Sequence, residues 1–423
     1  MQRSHIVRPA AMFWGLVVFM PVGVTYLSAL LLLLTMLVAG GLGGRYARLR
    51  ANPLWWPVMA YLAWTLIVLA IGQHYPETGS NLFHGIRIGL TMLMAMALTR
   101  EEAIWALRGF LLVAALNILL VIFFYAVGGF PIWSPLRAVV MEVGNKSISN
   151  ALLFSVVAST AAVWGIAQIA AHKPLRSIPA FVLMLGLGLV VALPLTSRTS
   201  VLALLLVIPV VCVHQWRNHL KMLVGALVLG AVVLGAALYQ VPQLQHKVET
   251  GVQELEEAQA GAVFKGSWVI RYYMYRDTGL MIADRPFTGW GIGGWTDQWH
   301  KRGPALLADS NMPHNDFLWA GAQGGLPALL SLLIIMVAAV WQAWKRPDIA
   351  GRYALAATLI ALIASSVNSA MRDAQIGLAL LFVSMVYLRL AQEKNDPDPW
   401  RGLLSSRLKS LENLEKDPAR PAA

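Results

Sequence analysis

Pro313-His314-Asn315-Asp316-Phe317-Leu318 ends a long polar stretch of an otherwise apolar chain, and Gly324-Gly325-Leu326-Pro327 then open a run of membrane-spanning length. A histidine placed there is a candidate base. Its unperturbed pKa lies near ~6.5, so small changes of environment move it across neutral pH. Upstream, Arg198 interrupts an apolar stretch inside Thr196-Ser197-Arg198-Thr199-Ser200, and Arg271 begins a segment that ends in Pro286-Phe287-Thr288-Gly289-Trp290-Gly291. Guanidinium groups stay charged and match phosphate oxygens in bidentate geometry. Two fixed cations and one base in a membrane protein point to chemistry on an anionic, lipid-held substrate.

Each residue also has an ordinary reading. Arg198 could be a turn residue that snorkels to headgroups. Arg271 and Arg276 could be solvated arginines on an amphipathic helix that rests on the membrane and stops before Pro286. His314 could be a polar loop residue, and its neighbours Asp309 and Asp316 could orient the ring or only solvate the loop. Arg87 is an intramembrane charge, functional by default but close to a helix end. Other histidines (His74, His84, His246, His300) share no zinc or di-metal spacing with His314. The glycines at 289, 291, 293 and 294 follow no strand, so they make a turn and not a nucleotide fold.

The elements that must position these residues are helices. The chain has 423 residues, 58% hydrophobic and 13% charged, against ~45–50% and ~25% in soluble domains. About twelve spans fit, near 10–22, 24–43, 54–72, 85–99, 103–127, 148–170, 179–195, 200–213, 222–240, 324–344, 353–371 and 374–392. This predicts an all-α polytopic membrane protein. Residues 1–240 carry nine spans, 241–323 form a large polar loop, 324–392 carry three more, and 393–423 make a charged tail. The first apolar run is read as an uncleaved helix, because a second follows at once. The single cysteine, Cys212, leaves no intramolecular disulfide.

The net charge of +12 would suggest nucleic acid in a soluble protein. Here Lys and Arg gathering in cytoplasmic loops explain it, and no nucleic acid is expected. The loop 241–323 has seven Lys/Arg and nine Asp/Glu, so the excess is not there. An even number of spans puts both termini on the basic side and this loop outside. Its apolar residues Trp268, Ile270, Trp290 and Trp295 are expected to face the membrane or a cavity opening to the outer leaflet.

Taken together, the motifs resemble the O-antigen ligase and O-antigen polymerase superfamily, which also contains O-linked protein oligosaccharyltransferases. The similar parts are Thr196-Ser197-Arg198, Arg271 with Tyr275, Pro286-x-x-Gly289-x-Gly291, and His314-Asn315-x-x-Leu318 followed by Gly324-Gly325. The likeness covers residues 190–345 by motif and the whole chain by hydropathy. It implies a GT-C-like glycosyltransferase of the bacterial inner membrane with a large helical periplasmic loop, cytoplasmic termini and a periplasmic active site. The implied reaction moves an O-antigen glycan from undecaprenyl diphosphate to a sugar hydroxyl of lipid A core, with inversion and without metal or cofactor. His314 would be the base, and Arg198 and Arg271 would hold the diphosphate. Asn315, Asp316, Asp309, Arg276 and Arg87 would support them.

One departure is visible. Gln323 stands where many relatives carry a glutamate, which leaves Asp316 or Asp309 to tune the histidine. The short tail favours a lipopolysaccharide ligase over a protein-glycosylating enzyme, while a polymerase has the same layout. A lipid-linked oligosaccharide transporter is the alternative of another class. Transporters commonly show two similar halves, whereas here the polar residues gather late in the chain and on one side.

Overall fold

The computed structural model describes residues 3–131, 133–142, 146–240 and 242–393, and among these it is helical with no strand. In hydrocarbon every backbone polar group needs an internal partner, and a helix supplies one within its own segment. In chain order the helices are α1 (Val7–Val17), α2 (Val22–Ala39), α3 (Leu42–Ala51), α4 (Trp55–Ile71), α5 (Thr78–Ala97), α6 (Arg100–Ala126) and the single turn α7 (Pro135–Arg137). Then follow α8 (Lys146–Ala170), α9 (Pro174–Ala192), α10 (Arg198–Trp216), α11 (Leu220–Gln240) and α12 (Pro242–Gln259). The last five are α13 (Ser267–Asp284), α14 (Gly294–Arg302), α15 (Asp316–Lys345), α16 (Ile349–Val367) and α17 (Ala374–Ala391). The expected tail, apart from Glu393, lies outside the described residues.

Eight of these helices are long and apolar enough to cross a membrane, or nine if α3 and α4, bent by 96° at their junction, form one span. About twelve were expected from hydropathy. The shortfall has local causes. Helix α1 is 11 residues long, too short to span alone. Helix α5 carries Asn81, His84 and Arg87, and it turns Asn81 and Arg87 inward.

The core lies around α17, which packs against α5, α6, α8 and α16 and is buried along its whole length. Trp14 of α1 stacks on Phe382 of α17 at 3.7 Å between ring centroids. One end of the bundle is basic. There Arg45 makes a two-pronged pair with Glu102 at 2.6 and 2.8 Å, and Arg48 donates to the Ala97 carbonyl. Arg389 donates to the Leu98 carbonyl at the same end. At the opposite end of α5, Thr78 Oγ1 donates to the Ile292 carbonyl of the 241–323 segment at 2.7 Å.

That segment is not a loose loop. Val269, Tyr273, Met274 and Met281 of α13 bury against Ala258, Trp295, Trp299, Leu307 and Ala322 as a second apolar core. Trp295 therefore does not face lipid. It is buried, stacked on Trp299 at 5.5 Å, and donates to Thr278 Oγ1. Trp290 is half-buried, with its indole N–H on the Met281 carbonyl and the Arg285 cation over its ring.

Candidate active site

The site begins with a break in α15. Backbone geometry leaves the helix at Gly324 and Gly325, the latter at φ 70° and ψ −170°. A broken helix strands carbonyls and amides that need other partners. The turn after Pro286 supplies them. Trp290 N donates to Ala322 O at 2.8 Å, Gly291 N to Gln323 O at 3.0 Å, and Leu326 N to Pro286 O at 2.6 Å. The indole of Trp64 donates to Gly324 O at 2.7 Å.

Two glycines make this contact feasible. Gly289 sits at φ 61°, and a Cβ there would lie 2.5 Å from the Gln323 carbonyl carbon. A Cβ on Gly325 would meet the Phe287 backbone at 2.5 Å. The Pro286–Gly291 motif and the Gly324-Gly325 pair are thus two halves of one joint. Gln323 belongs to it too, since its Oε1 accepts from Gly293 N at 2.6 Å.

The joint holds the short first part of α15, whose N-terminus carries the histidine motif. Asn315 caps the helix, its Oδ1 accepting from Phe317 N and Leu318 N at 2.9 and 3.0 Å. Its Nδ2 donates to Ser366 O at 2.7 Å. Asp316 is buried, and its carboxylate accepts from Met371 N at 2.7 Å and Arg372 N at 2.9 Å. These bonds tie the start of α15 to the turn between α16 and α17.

His314 is half-buried at this junction, with a positive φ of 52°. Its carbonyl accepts from the Tyr275 hydroxyl at 3.0 Å. Burial pushes that hydroxyl up to about 12, so it stays protonated. The ring Nδ1 lies 3.3 Å from Asn368 Oδ1. An amide oxygen only accepts, so Nδ1 carries the hydrogen and Nε2 keeps its lone pair. Burial, and then the nearby Arg271 and Arg372 cations, push His314 down to about 4 against the pull of Asn368. The imidazole is therefore neutral at pH 7 and able to take a proton at Nε2.

Arg271 lies along α13 toward the same junction. Its Nη1 donates to the Ser267 carbonyl at 2.9 Å, and its Nε donates to Val367 O at 3.2 Å. Burial holds its pKa below the usual arginine value, Tyr275 counters this, and the Arg198 cation adds to the depression. Arg198 is thus an electrostatic neighbour of Arg271. It opens α10 behind the Ser197 cap, whose Oγ accepts from Ser200 N at 3.3 Å. Its Nη1 is buried with no hydrogen-bond partner among the described residues. A helix N-terminus, two cations and a free guanidinium nitrogen make a place that favours an anion.

Other expected residues lie elsewhere. Asp316 does not orient the ring, because both its oxygens serve backbone amides. Asp309 is exposed and makes no hydrogen bond or ion pair among the described residues. Arg276 is exposed, paired with Asp277 at 2.7 Å and lying over the Tyr273 ring, so it faces away from the site. Arg87 is buried and donates to the carbonyls of Met371 at 2.7 Å and Arg372 at 2.6 Å, which braces the turn beside His314. Sequence reasoning missed Asn368 as the partner of the ring. The available signal was the polar run Asn368-Ser369-Ala370-Met371-Arg372-Asp373 between two apolar helices.

Comparison with protein families gives a match over residues 179–333 to the O-antigen ligase family. This stretch holds Arg198, Arg271, the Pro286–Gly291 turn and His314, and stops short of Asn368 and Arg372. No curated protein matches the chain. His314, the two arginines and the helix joint all fall inside the matched segment, and over that segment the chain is similar to the O-antigen ligase family.

Proposed function

We propose that the protein is a lipopolysaccharide ligase that moves O-antigen glycan from undecaprenyl diphosphate to a sugar hydroxyl of lipid A core. The observation that carries this reading is His314, held neutral with Nδ1 on Asn368, with Arg271 beside it and Arg198 next to Arg271. A sugar hydroxyl is a poor nucleophile until a base removes its proton, and Nε2 of His314 is free for that task. As the hydroxyl attacks the anomeric carbon, the glycosyl–phosphate bond breaks and negative charge grows on the departing diphosphate. Arg271 and Arg198 stabilise that charge where water is scarce. Direct attack inverts the anomeric centre. The donor carries its own activation, so no cofactor enters.

Asn315, Asp316 and Arg87 support the base indirectly by fixing the two turns that meet at it. The basic end of the bundle faces the cytoplasm in this reading, with the termini there and the α12–α14 segment in the periplasm. Membrane lipids and the two lipid-anchored substrates are the partners, within a GT-C-like arrangement of the inner membrane.

The test is the product. Purified protein is given the lipid-linked donor alone, then the donor with rough lipopolysaccharide. Glycan on lipid A core only in the second mixture supports ligation. Longer chains on undecaprenyl diphosphate in the first make the protein a polymerase.

A further inference from the structure

The basic end of the bundle holds a cavity of about 1070 Å³, at the corner where α3 meets α4 and where α15 and α17 end. Its wall carries Arg48, Arg100, Lys345, Arg346 and Arg389 against two carboxylates, Asp348 and Glu393. Both carboxylates are already taken. Arg346 reaches Asp348 at 2.6 Å, and Arg389 reaches Glu393 at 2.5 Å. Arg48 is half-buried, and its one hydrogen bond runs from Nη1 to the Ala97 carbonyl at 2.7 Å. Lys345 makes no hydrogen bond or ion pair among the described residues and lies over the Trp341 ring at 5.1 Å. On the same wall Gln342 Nε2 is buried with no hydrogen-bond partner among the described residues.

The excess of positive charge is local to this cavity. A neighbouring cavity of about 520 Å³ shares Arg48 and Arg100, but its other cations are matched one to one, Arg8 with Glu101 and Arg45 with Glu102. Drawing a cation partly out of water without a counter-charge is costly. Phosphate oxygens remove that cost, because they accept charge-assisted hydrogen bonds from guanidinium and ammonium groups.

Three features put that phosphate on a lipid and not in free solution. Helix α3 turns 96° from α4, so with α4 across the bilayer α3 runs along its surface and carries Arg48 at headgroup depth. Lys345 closes α15 at the end opposite the His314 motif, where a spanning helix leaves hydrocarbon. Trp341, one turn earlier, lines the cavity and is 55% exposed, and tryptophan prefers this boundary. Basic pockets between the ends of spanning helices suit anionic headgroups.

We propose that this cavity binds the headgroup of an anionic phospholipid, with Arg48 and Lys345 on its phosphate and Trp341 on the side of its acyl chains. The site lies at the far end of α15 from His314, so it holds whether the protein ligates or polymerises.

The experiment titrates the full-length, detergent-solubilised protein with phosphatidylglycerol or phosphatidylcholine of the same chain length and counts bound lipid by native mass spectrometry. The first phosphatidylglycerol is expected to bind about tenfold or more tightly than the first phosphatidylcholine. Arg48→Gln and Lys345→Gln should each cut that preference about threefold or more, and the double variant should abolish it. Lys345 is exposed and free of hydrogen bonds, so its variant gives the answer even if Arg48→Gln melts early. Arg50, exposed on α3 and outside the cavity wall, is the control, and Arg50→Gln should leave the preference unchanged. An equal loss in Arg50→Gln would reduce the effect to general surface charge and overturn the site. A preference that survives in the double variant would place the lipid elsewhere. Glycerol 3-phosphate that displaces the lipid at equal concentration would make this a site for soluble anions and overturn the lipid assignment. Wild-type protein that binds both lipids alike would leave the cavity to another occupant, the chain's own residues 394–423 included, and would sink the proposal.

Discussion

Nδ1 of His314 lies 3.3 Å from Oδ1 of Asn368, a residue 54 positions later in the chain, at the end of α16. The contact selects the tautomer and aims Nε2. Replacing Asn368 with Ala should free the ring and lower kcat on the order of a hundredfold, the cost of about 1 Å of misplacement. Asn368→Asp has a sharper signature. A carboxylate at Nδ1 stabilises the imidazolium, so the acid limb of the pH–rate profile should move to higher pH. An unmoved limb would show that Asn368 only packs there.

In the unaltered protein the base form of His314 exists above its pKa of about 4. The kcat/KM profile should therefore rise with pH through that region and be flat by pH 7. Substituting His314 with Ala should reduce turnover by roughly 10²–10⁴ and leave donor binding largely intact, since the base acts in the transition state. Near-normal turnover of this variant would remove His314 from the mechanism and favour a substrate-assisted route.

Arg198 and Arg271 are expected to matter as planar forks, not only as charges. Alanine at either should lower kcat about 10²–10³-fold, and lysine should recover only part of that loss. Because arginines supply the positive charge, EDTA should leave the rate unchanged. Activity lost to chelation and restored by a divalent cation would put a metal in the site. Full activity in both lysine variants would reduce the arginines to point charges.

The joint in α15 makes a stability prediction. Gly289→Ala places a Cβ at φ 61° and 2.5 Å from the Gln323 carbonyl carbon. The left-handed conformation alone costs about 1–2 kcal/mol, and the overlap adds to it. Thermal melting of the detergent-solubilised variant should shift downward, with activity falling in step. A variant that melts and works normally would mean that the turn does not clamp the helix break.

What the sequence determined by itself is what depends on neighbours along the chain. Apolar runs specify helices wherever lipid denies water to the backbone, and polar residues at their borders, Arg198 and His314 among them, mark where the chain leaves lipid. Asn315 was placed beside His314 by adjacency, and its preference for helix caps follows from its short amide side chain. The tertiary structure decided what depends on packing between distant segments. It turned Asp316 away from the ring and onto the amides of Met371 and Arg372, and it brought Asn368 to the ring across α15 and α16. It also showed the two glycine motifs to be one joint. Hydropathy expects about twelve spans and eight or nine of the described helices have the length and apolarity of one, while α5 keeps Arg87 inside the protein through bonds to the carbonyls of Met371 and Arg372. Periodicity and composition are properties of a segment, but the partner of a buried polar group is chosen by whatever the fold places within hydrogen-bonding reach.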